Sequence, residues 1–180
     1  YGINNFNLEE KKFNQILRIE EDKPENRCND GAADFAGNFW FGTMQNNIAE
    51  DGSDINITKN SGSLYSIDKN LKVTIHENDI SISNTFAWSP QNDKFYFSDT
   101  LTGIISVYDY DLDNKVISNK KQFATFDRGY PDGSTVDSEG FLWNCRWGGS
   151  CVVRFDPNGK VDRIIAVSYT HLTLPTKLSV

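Results

Sequence analysis

One phrase occurs three times along the sequence, and it constrains the fold more than any other feature. Each copy reads as an Asn- or Asp-containing turn, a short strand, a polar turn and an aromatic strand. The copies cover Asn29–Gly42, Asn84–Asp99 and Asp132–Trp143. Since no stretch shows a convincing helical period, the sequence predicts a repeated all-β unit.

A second phrase alternates with the first and consists of a glycine followed by a short apolar strand. Together the two phrases make two hairpins in a period of roughly 40–50 residues, which is the length of a four-stranded propeller blade. The sequence therefore predicts part of a β-propeller built from four-stranded antiparallel blades. The copies of the second phrase begin at Gly2, Gly62, Gly103 and Gly149.

The two phrases divide the chain into modules. We expect half a module over residues 1–22 and two full modules over 27–78 and 80–127. Most of a third module follows over residues 130–165. A complete ring needs more blades than these three to four, so we expect the chain to be a fragment of a larger ring, inactive on its own.

Some stretches depart from the modular pattern. We assign residues 1–166 to the partial propeller, whereas residues 167–180 fit nothing before them and resemble a translated sequencing adaptor. The alternative for this tail is a genuine Thr/Leu-rich terminal strand. The mixed-charge stretch Lys11–Glu21 could pass for a helix, but its position after the first glycine phrase favours an outer hairpin. The polar stretch 45–60 is interpreted as an exposed loop.

Composition and charge narrow the class of protein. The net charge of −7 argues against a nucleic-acid partner, and no apolar run approaches the ~20 residues of a membrane span. The cysteines are Cys28, Cys145 and Cys151, an odd count without the CxxC spacing of a zinc site. They predict reduced thiols and a cytoplasmic location.

The candidate chemistry lies at the start of the repeated phrase. Pro131 lacks an N–H and Gly133 tolerates positive φ, so we expect a sharp turn with Asp132 at its tip. An aspartate that caps its own backbone is the alternative for this residue alone. Asn29/Asp30 and Asn84 occupy the equivalent turn in the other copies, and propeller loops from one face converge on the central channel. Oxygen ligands from separate loops suit a hard divalent cation, which can polarise a carbonyl.

Several strings in order along the chain resemble the regucalcin–gluconolactonase family of six-bladed propeller lactonases. The resemblance covers about residues 8–165, and the Trp-Asn-x-x-Trp-Gly-Gly motif is similar to that of the bacterial sugar-lactonase branch. The strings are Asn26–Gly31, Gly37 to Met44, Ile82–Ser89, Tyr108–Asp111, Pro131–Gly133 and Trp143–Gly149.

The resemblance implies a set of site residues. The family holds one divalent metal ion (Ca, Zn, Mn, Mg or Fe(II)) with a Glu, an Asn and an Asp, of which the last two match Asn84 and Asp132, while the Glu is expected upstream of Tyr1. The family residues that contact sugar hydroxyls match Arg27 and Asn29. A substrate-side acid after Thr-Met is not evident, because Gln45-Asn46-Asn47 stands there.

The function implied by the resemblance is metal-assisted hydrolysis of a small-molecule sugar lactone to the aldonic acid. In that mechanism Asp132 removes a proton from the attacking water. One alternative is a propeller of the same architecture that binds metal or ligand without turnover. Another is a truncated reading frame without function as it stands. A Glu in the first-blade turn upstream would favour the enzyme, while the lactone, the native metal and the oligomeric state stay open.

Overall fold

The computed structural model describes residues 2–167, so the tail interpretation falls almost entirely outside the described residues. In residues 2–167 the chain forms fourteen β-strands and no α-helix, and a 3-10 turn at Thr100–Thr102 follows the eighth strand. The strands are β1 (Ile3–Asn7), β2 (Lys12–Leu17), β3 (Asn26–Ala33), β4 (Phe39–Gln45), β5 (Gly62–Ile67), β6 (Val73–Ile80), β7 (Ser83–Trp88), β8 (Lys94–Asp99), β9 (Ile104–Asp111), β10 (Val116–Thr125), β11 (Tyr130–Val136), β12 (Leu142–Trp147), β13 (Cys151–Phe155) and β14 (Val161–Ala166).

The strands form a hairpin and three four-stranded antiparallel sheets. β1 pairs with β2, and the sheets contain β3–β6, β7–β10 and β11–β14, each in sequence order. The prediction of a partial β-propeller is confirmed, and the third module has all four of its strands. The outer-hairpin interpretation of Lys11–Glu21 is also confirmed, because Lys12–Leu17 is a strand. No helix in residues 2–167 is long and apolar enough to cross a membrane.

Both faces of the β7–β10 sheet contribute to core clusters, which explains the continuous apolar run in its strand β8. Trp40 and Phe95 belong to a core cluster between the β3–β6 and β7–β10 sheets. Tyr96, the next residue along β8, belongs instead to the cluster shared with the β11–β14 sheet. Because successive side chains of a strand point to opposite faces, one strand thus supplies core residues to both neighbours. Stacking of this kind aligns the first strands of the three sheets, β3, β7 and β11, next to one another.

A hydrogen bond from tryptophan to aspartate explains why the repeated phrase recurs. Trp40 Nε1 donates to Asp34 Oδ2 at 3.0 Å, and Trp143 Nε1 donates to Asp137 Oδ2 at 2.8 Å. In the middle copy Ser89 stands at the aspartate position and Phe95, which has no N–H in its side chain, at the tryptophan position. The polar turn and the aromatic strand are therefore one structural unit.

Asp34 also joins two sheets. The hydroxyl of Tyr110, on β9 of the next sheet, donates to Asp34 Oδ2 at 2.6 Å. Asn38 adds bonds from its backbone N–H and its Nδ2, both at 2.8 Å. These donors lower the pKa of the buried Asp34 carboxyl against the effect of its burial, which alone raises that pKa.

His76 is partly buried beside the same core. Its ring stacks on Trp40 with ring centroids 4.2 Å apart, and its Nε2 lies 2.8 Å from Ser66 Oγ. Desolvation by this packing lowers the pKa of His76 from 6.5 to about 4. The imidazole is therefore neutral at pH 7.

Replacing Tyr110 by Phe should destabilise the protein, because it removes a donor to a buried carboxylate and one of the bonds between sheets. We expect the free energy of unfolding to fall by about 1–3 kcal/mol in chemical denaturation. Tyr96→Phe is the matched control, since Tyr96 is buried and its hydroxyl has no hydrogen bond among the described residues. Equal losses in the two variants would contradict a specific role for the bond between sheets.

His76 predicts a defined pH dependence of stability. A histidine whose pKa is depressed on folding contributes stability above its unfolded pKa, and this contribution is lost as pH falls through the folded value. Between pH 6.5 and about 4, His76→Gln should therefore lose about 1–2 kcal/mol less stability than the parent protein. Denaturant titrations at several pH values measure this difference, and parallel stability curves would contradict it.

Candidate metal and substrate site

The first strand of each sheet carries a bulge at the predicted site residues. The pairing register breaks between Cys28 and Gly31 in β3, between Asn84 and Ala87 in β7, and between Pro131 and Ser134 in β11. β-Bulges are frequent next to active sites, because they turn a side chain away from the regular pleat. Since β7 lies between β3 and β11, the three bulges form one neighbourhood.

The expected turns at these positions are wrong. Asn29/Asp30, Asn84 and Asp132 all lie within strands. Pro131 pairs with Arg146, and Gly133 is not among the glycines with positive φ. The physical reason is that β11 is an edge strand of its own sheet, where a proline without an N–H is tolerated. A bulge, and not a loop tip, therefore sets the direction of Asp132.

Arg27 and Asn29 are brought together as the resemblance implies. Arg27 Nη1 donates to Asn29 Oδ1 at 2.9 Å, and Asn29 Nδ2 donates to the carbonyl of Ser83 at 2.9 Å. The other end of the guanidinium is held by a 2.7 Å bond from Nη2 to Asn47 Oδ1. The pair is thus fixed to β7, beside Asn84.

Asn84 and Asp132 are connected through their neighbours. Asn84 is buried, and its Nδ2 donates to Thr100 Oγ1 at 2.9 Å. The Thr100 hydroxyl in turn donates to the carbonyl of Pro131 at 2.9 Å. This arrangement uses the nitrogen of the Asn84 amide and leaves its Oδ1, the atom that can bind a metal, without a hydrogen bond among the described residues.

The backbone of Asp132 is held by two donors. Thr85 Oγ1 donates to the Asp132 carbonyl at 2.7 Å, and Asn144 Nδ2 donates to the same oxygen at 3.1 Å. Asn144 is itself fixed by the buried Arg146, whose Nη1 donates to Asn144 Oδ1 at 3.1 Å. The position of the acid in the bulge is therefore defined by three neighbouring side chains.

Asp30 is an acid of this site to which the sequence alone assigned no separate role. Burial, together with the negative charge of Asp132, raises the pKa of Asp30 from 3.8 to about 6, against hydrogen bonds from the N–H groups of Gly31 and Thr85 that lower it. Asp30 has no ion pair among the described residues. Its position next to Asn29 in the repeated phrase was the signal for it.

The donor set fits a hard divalent cation. The site contains the carboxylates of Asp30 and Asp132, whose negative charges repel each other. It also contains the amide oxygen of Asn84, which accepts no hydrogen bond among the described residues. Calcium and magnesium ions bind oxygens of both kinds. In residues 2–167 no three His, Cys, Asp or Glu side chains form a metal-binding group. The predicted ligands in this chain, Asn84 and Asp132, would accordingly be part of a larger ligand set.

The fold and the site define a β-propeller protein with a polar site on the bulged first strands of adjacent blades. A family model described as SMP-30/Gluconolactonase/LRE-like region matches residues 1–176, and the chain belongs to that family. Regucalcin of Xenopus laevis is 35% identical over 153 residues, which cover 84% of this chain and 50% of that protein. Human regucalcin is 33% identical over 153 residues, with the same coverage of 84% and 50%.

Solved structures give the same result. A calcium-binding regucalcin from Agrobacterium tumefaciens is 31% identical, with a TM-score of 0.81 over 92% of this chain and 54% of the other. A luciferin-regenerating enzyme is 33% identical, with a TM-score of 0.77 over 87% of this chain and 51% of the other. A gluconolactonase from Xanthomonas campestris, at 21% identity and a TM-score of 0.75, shows the shared fold alone. The chain spans about half the length of the relatives it matches.

Proposed function

We propose that this chain, within a protein of the full length of its relatives, takes part in the hydrolysis of a sugar lactone to the aldonic acid. The observation that supports this best is the connected set of polar residues on three adjacent bulged strands. Arg27 and Asn29 belong to β3, Asn84 to β7 and Asp132 to β11. The family membership supports lactone chemistry in general, and the site residues supply the details.

Asn84 Oδ1 and the Asp132 carboxylate would hold one divalent cation together with the Glu that the family resemblance implies. When bound, such an ion polarises the lactone carbonyl and lowers the pKa of a bound water. Asp30 adds negative charge to the same region, which favours a cation there. Calcium is one candidate, because the Agrobacterium relative is described as a calcium-binding protein.

In the reaction, water attacks the carbonyl carbon of the lactone and the bond from that carbon to the ring oxygen breaks. Asp132 accepts a proton from the attacking water and returns it to the ring oxygen, which leaves as a hydroxyl. Thr85 and Asn144 keep the backbone of Asp132 fixed, so that its carboxylate needs little reorganisation. The aldonic acid is the single product, because hydrolysis opens the lactone ring without releasing a second fragment.

Arg27 and Asn29 orient the sugar in this proposal. Within residues 2–167 the guanidinium bonds only to neutral oxygens, those of Cys28, Asn29 and Asn47, so its charge stays available to a ligand. Asn47 lies in the stretch where the family acid is not evident, and Arg27 forms no ion pair with a carboxylate in this part of the chain. A planar cationic fork suits paired sugar oxygens.

A second candidate is a propeller that binds a divalent cation without turnover, which the calcium-binding relative favours. The two candidates differ in their dependence on Asp132. Both require the ion, but only the hydrolase requires a group that accepts a proton. The following variants separate them.

Asp132→Asn in the full-length protein should reduce lactone hydrolysis at least about 100-fold, because it removes a ligand charge and the proton acceptor together. A pH-indicator assay of lactone opening measures the rate. Asp113→Asn, the same change at an exposed turn between β9 and β10, should leave it unaltered. Rates similar to the parent protein in the Asp132 variant would refute the proposed role.

Removal of divalent metal by a chelator should abolish turnover, and re-addition of the ion should restore it. The expected loss is again about 100-fold or more, because the ion supplies the charge that stabilises the developing oxyanion. Titration of the metal-free protein with calcium, magnesium, manganese and zinc ions would identify the preferred ion. Full activity without metal would refute metal dependence while leaving lactone hydrolysis itself standing.

A further inference from the structure

Thr85 has a backbone conformation that its residue type disfavours. Its φ is +62°, in the left-handed region, where a β-branched residue is a genuine outlier. Nine non-glycine residues in the described part have positive φ, and Thr85 is the one that is fully buried. Strain of this kind persists only where the surroundings enforce it, and it concentrates at functional sites.

The hydroxyl of Thr85 is saturated with partners. It donates to the carbonyl of Asp132 at 2.7 Å. Ser98 Oγ donates to Thr85 Oγ1 at 3.1 Å, and Ser134 Oγ lies 3.1 Å away. Since a hydroxyl has one donor and two acceptor positions, these contacts fully occupy it and fix its direction.

The backbone of Thr85 faces the strand on the other side, β3. Its N–H is directed at the carboxylate of Asp30 and favours the ionised form of that group. One residue of the middle strand therefore contacts the acid-bearing residues of both flanking strands. Glycine would adopt the same φ without strain, but it would lose the hydroxyl that reaches Asp132.

We propose that Thr85 is a positioning residue that sets the relative placement of Asp30 and Asp132 across the three bulged strands. In this left-handed conformation the hydroxyl of Thr85 bonds to the Asp132 carbonyl on β11 while its N–H faces Asp30 on β3. Thr85 touches neither the reacting atoms nor the proposed metal ligands' side chains in this scheme. Only the expected change in kcat rests on the proposed function, because the placement of Asp30 and Asp132 is a structural property.

Three variants test the proposal in the full-length protein. Thr85→Gly removes the strain and the hydroxyl, and Thr85→Ser keeps the hydroxyl. Asn92→Gly is the matched control, because Asn92 also has a positive φ, of +58°, but lies in the turn between β7 and β8. The readouts are the Tm, the divalent-cation Kd from calorimetry, kcat and KM for a sugar lactone, and crystal structures of the parent protein and the Gly variant.

For Thr85→Gly we expect a Tm within about 3 °C of the parent value, because relief of strain offsets the lost hydrogen bonds. Its cation Kd should rise and its kcat should fall, each by about 10-fold or more, with Asp132 displaced in the crystal structure. Thr85→Ser should remain within about 3-fold of the parent in both quantities, and Asn92→Gly should change neither.

Other outcomes overturn the proposal. Undisplaced acids with an unaltered Kd in Thr85→Gly would show that Thr85 does not position them. If the Kd and kcat of Thr85→Gly change only in proportion to a lower Tm, the role of Thr85 is merely structural. A Thr85→Ser variant with a much lower Tm but an unaltered Kd and kcat would indicate the same. If the parent protein opens no lactone, the proposed function fails, while the Kd and the crystal structures still decide the role of Thr85.

Discussion

The burial of both faces of the central sheet, β7–β10, is the constraint on which the rest of the structure depends. A four-stranded sheet that is apolar on both sides must have a neighbour on each side, and the sheets here stack face to face for that reason. Phe95 and Tyr96, adjacent in β8, pack into different core clusters, one on each side of their sheet. The stacking places equivalent strands next to one another, so a residue at one position of the repeat meets its equivalents from the other copies.

The site uses this alignment but departs from regular pairing. A regular strand points alternate side chains into the cores on either side, and neither direction is available to a charged group that must meet a ligand. The bulges at Asn29–Asp30 and Asp132–Gly133 resolve this conflict, because they release the acid-bearing residues from the pleat. Polar side chains compensate for the disrupted pairing, since Thr85 and Asn144 both donate to the backbone carbonyl of Asp132 in the bulge.

The sequence allowed the blades to be predicted, because the repeat carries its own chemistry. An aspartate bonded to the tryptophan six positions later defines one hairpin in two of the three modules, and the glycine phrase begins the next strand pair. The same reasoning selected residues that lie on three adjacent bulged strands. It placed them in turns, however, because Pro131 and Gly133 are typical turn residues and a single sequence does not show which strand forms the edge of a sheet.

Other features of the site could not be predicted, because they depend on neighbours distant in sequence. The pKa of Asp30 is raised by burial and, to a smaller extent, by a charge on β11, about 100 residues later. The conformation of Thr85 accompanies a bulge that only strand pairing defines. Threonine would ordinarily argue against a positive φ at that position. The preference of a residue type for a backbone conformation therefore gives the wrong answer at Thr85, which contacts the proposed site. Such exceptions are expected where function, and not stability, selects the conformation.

Two arginines of this fold differ in their surroundings, one with a structural role and one that is available to a ligand. Arg146 is buried, and its guanidinium donates to the carbonyls of Arg128, Phe126 and Gly129 as well as to Asn144. Arg27 is half-buried, bonds through Nη1 and Nη2 only, and keeps an Nε that has no partner among the described residues. A buried donor without a partner is costly, so a fully structural arginine would be expected to resemble Arg146. The Nε of Arg27 is itself buried, so a ligand would have to meet the Nη1 and Nη2 end of the guanidinium, whose partners among the described residues are all neutral oxygens.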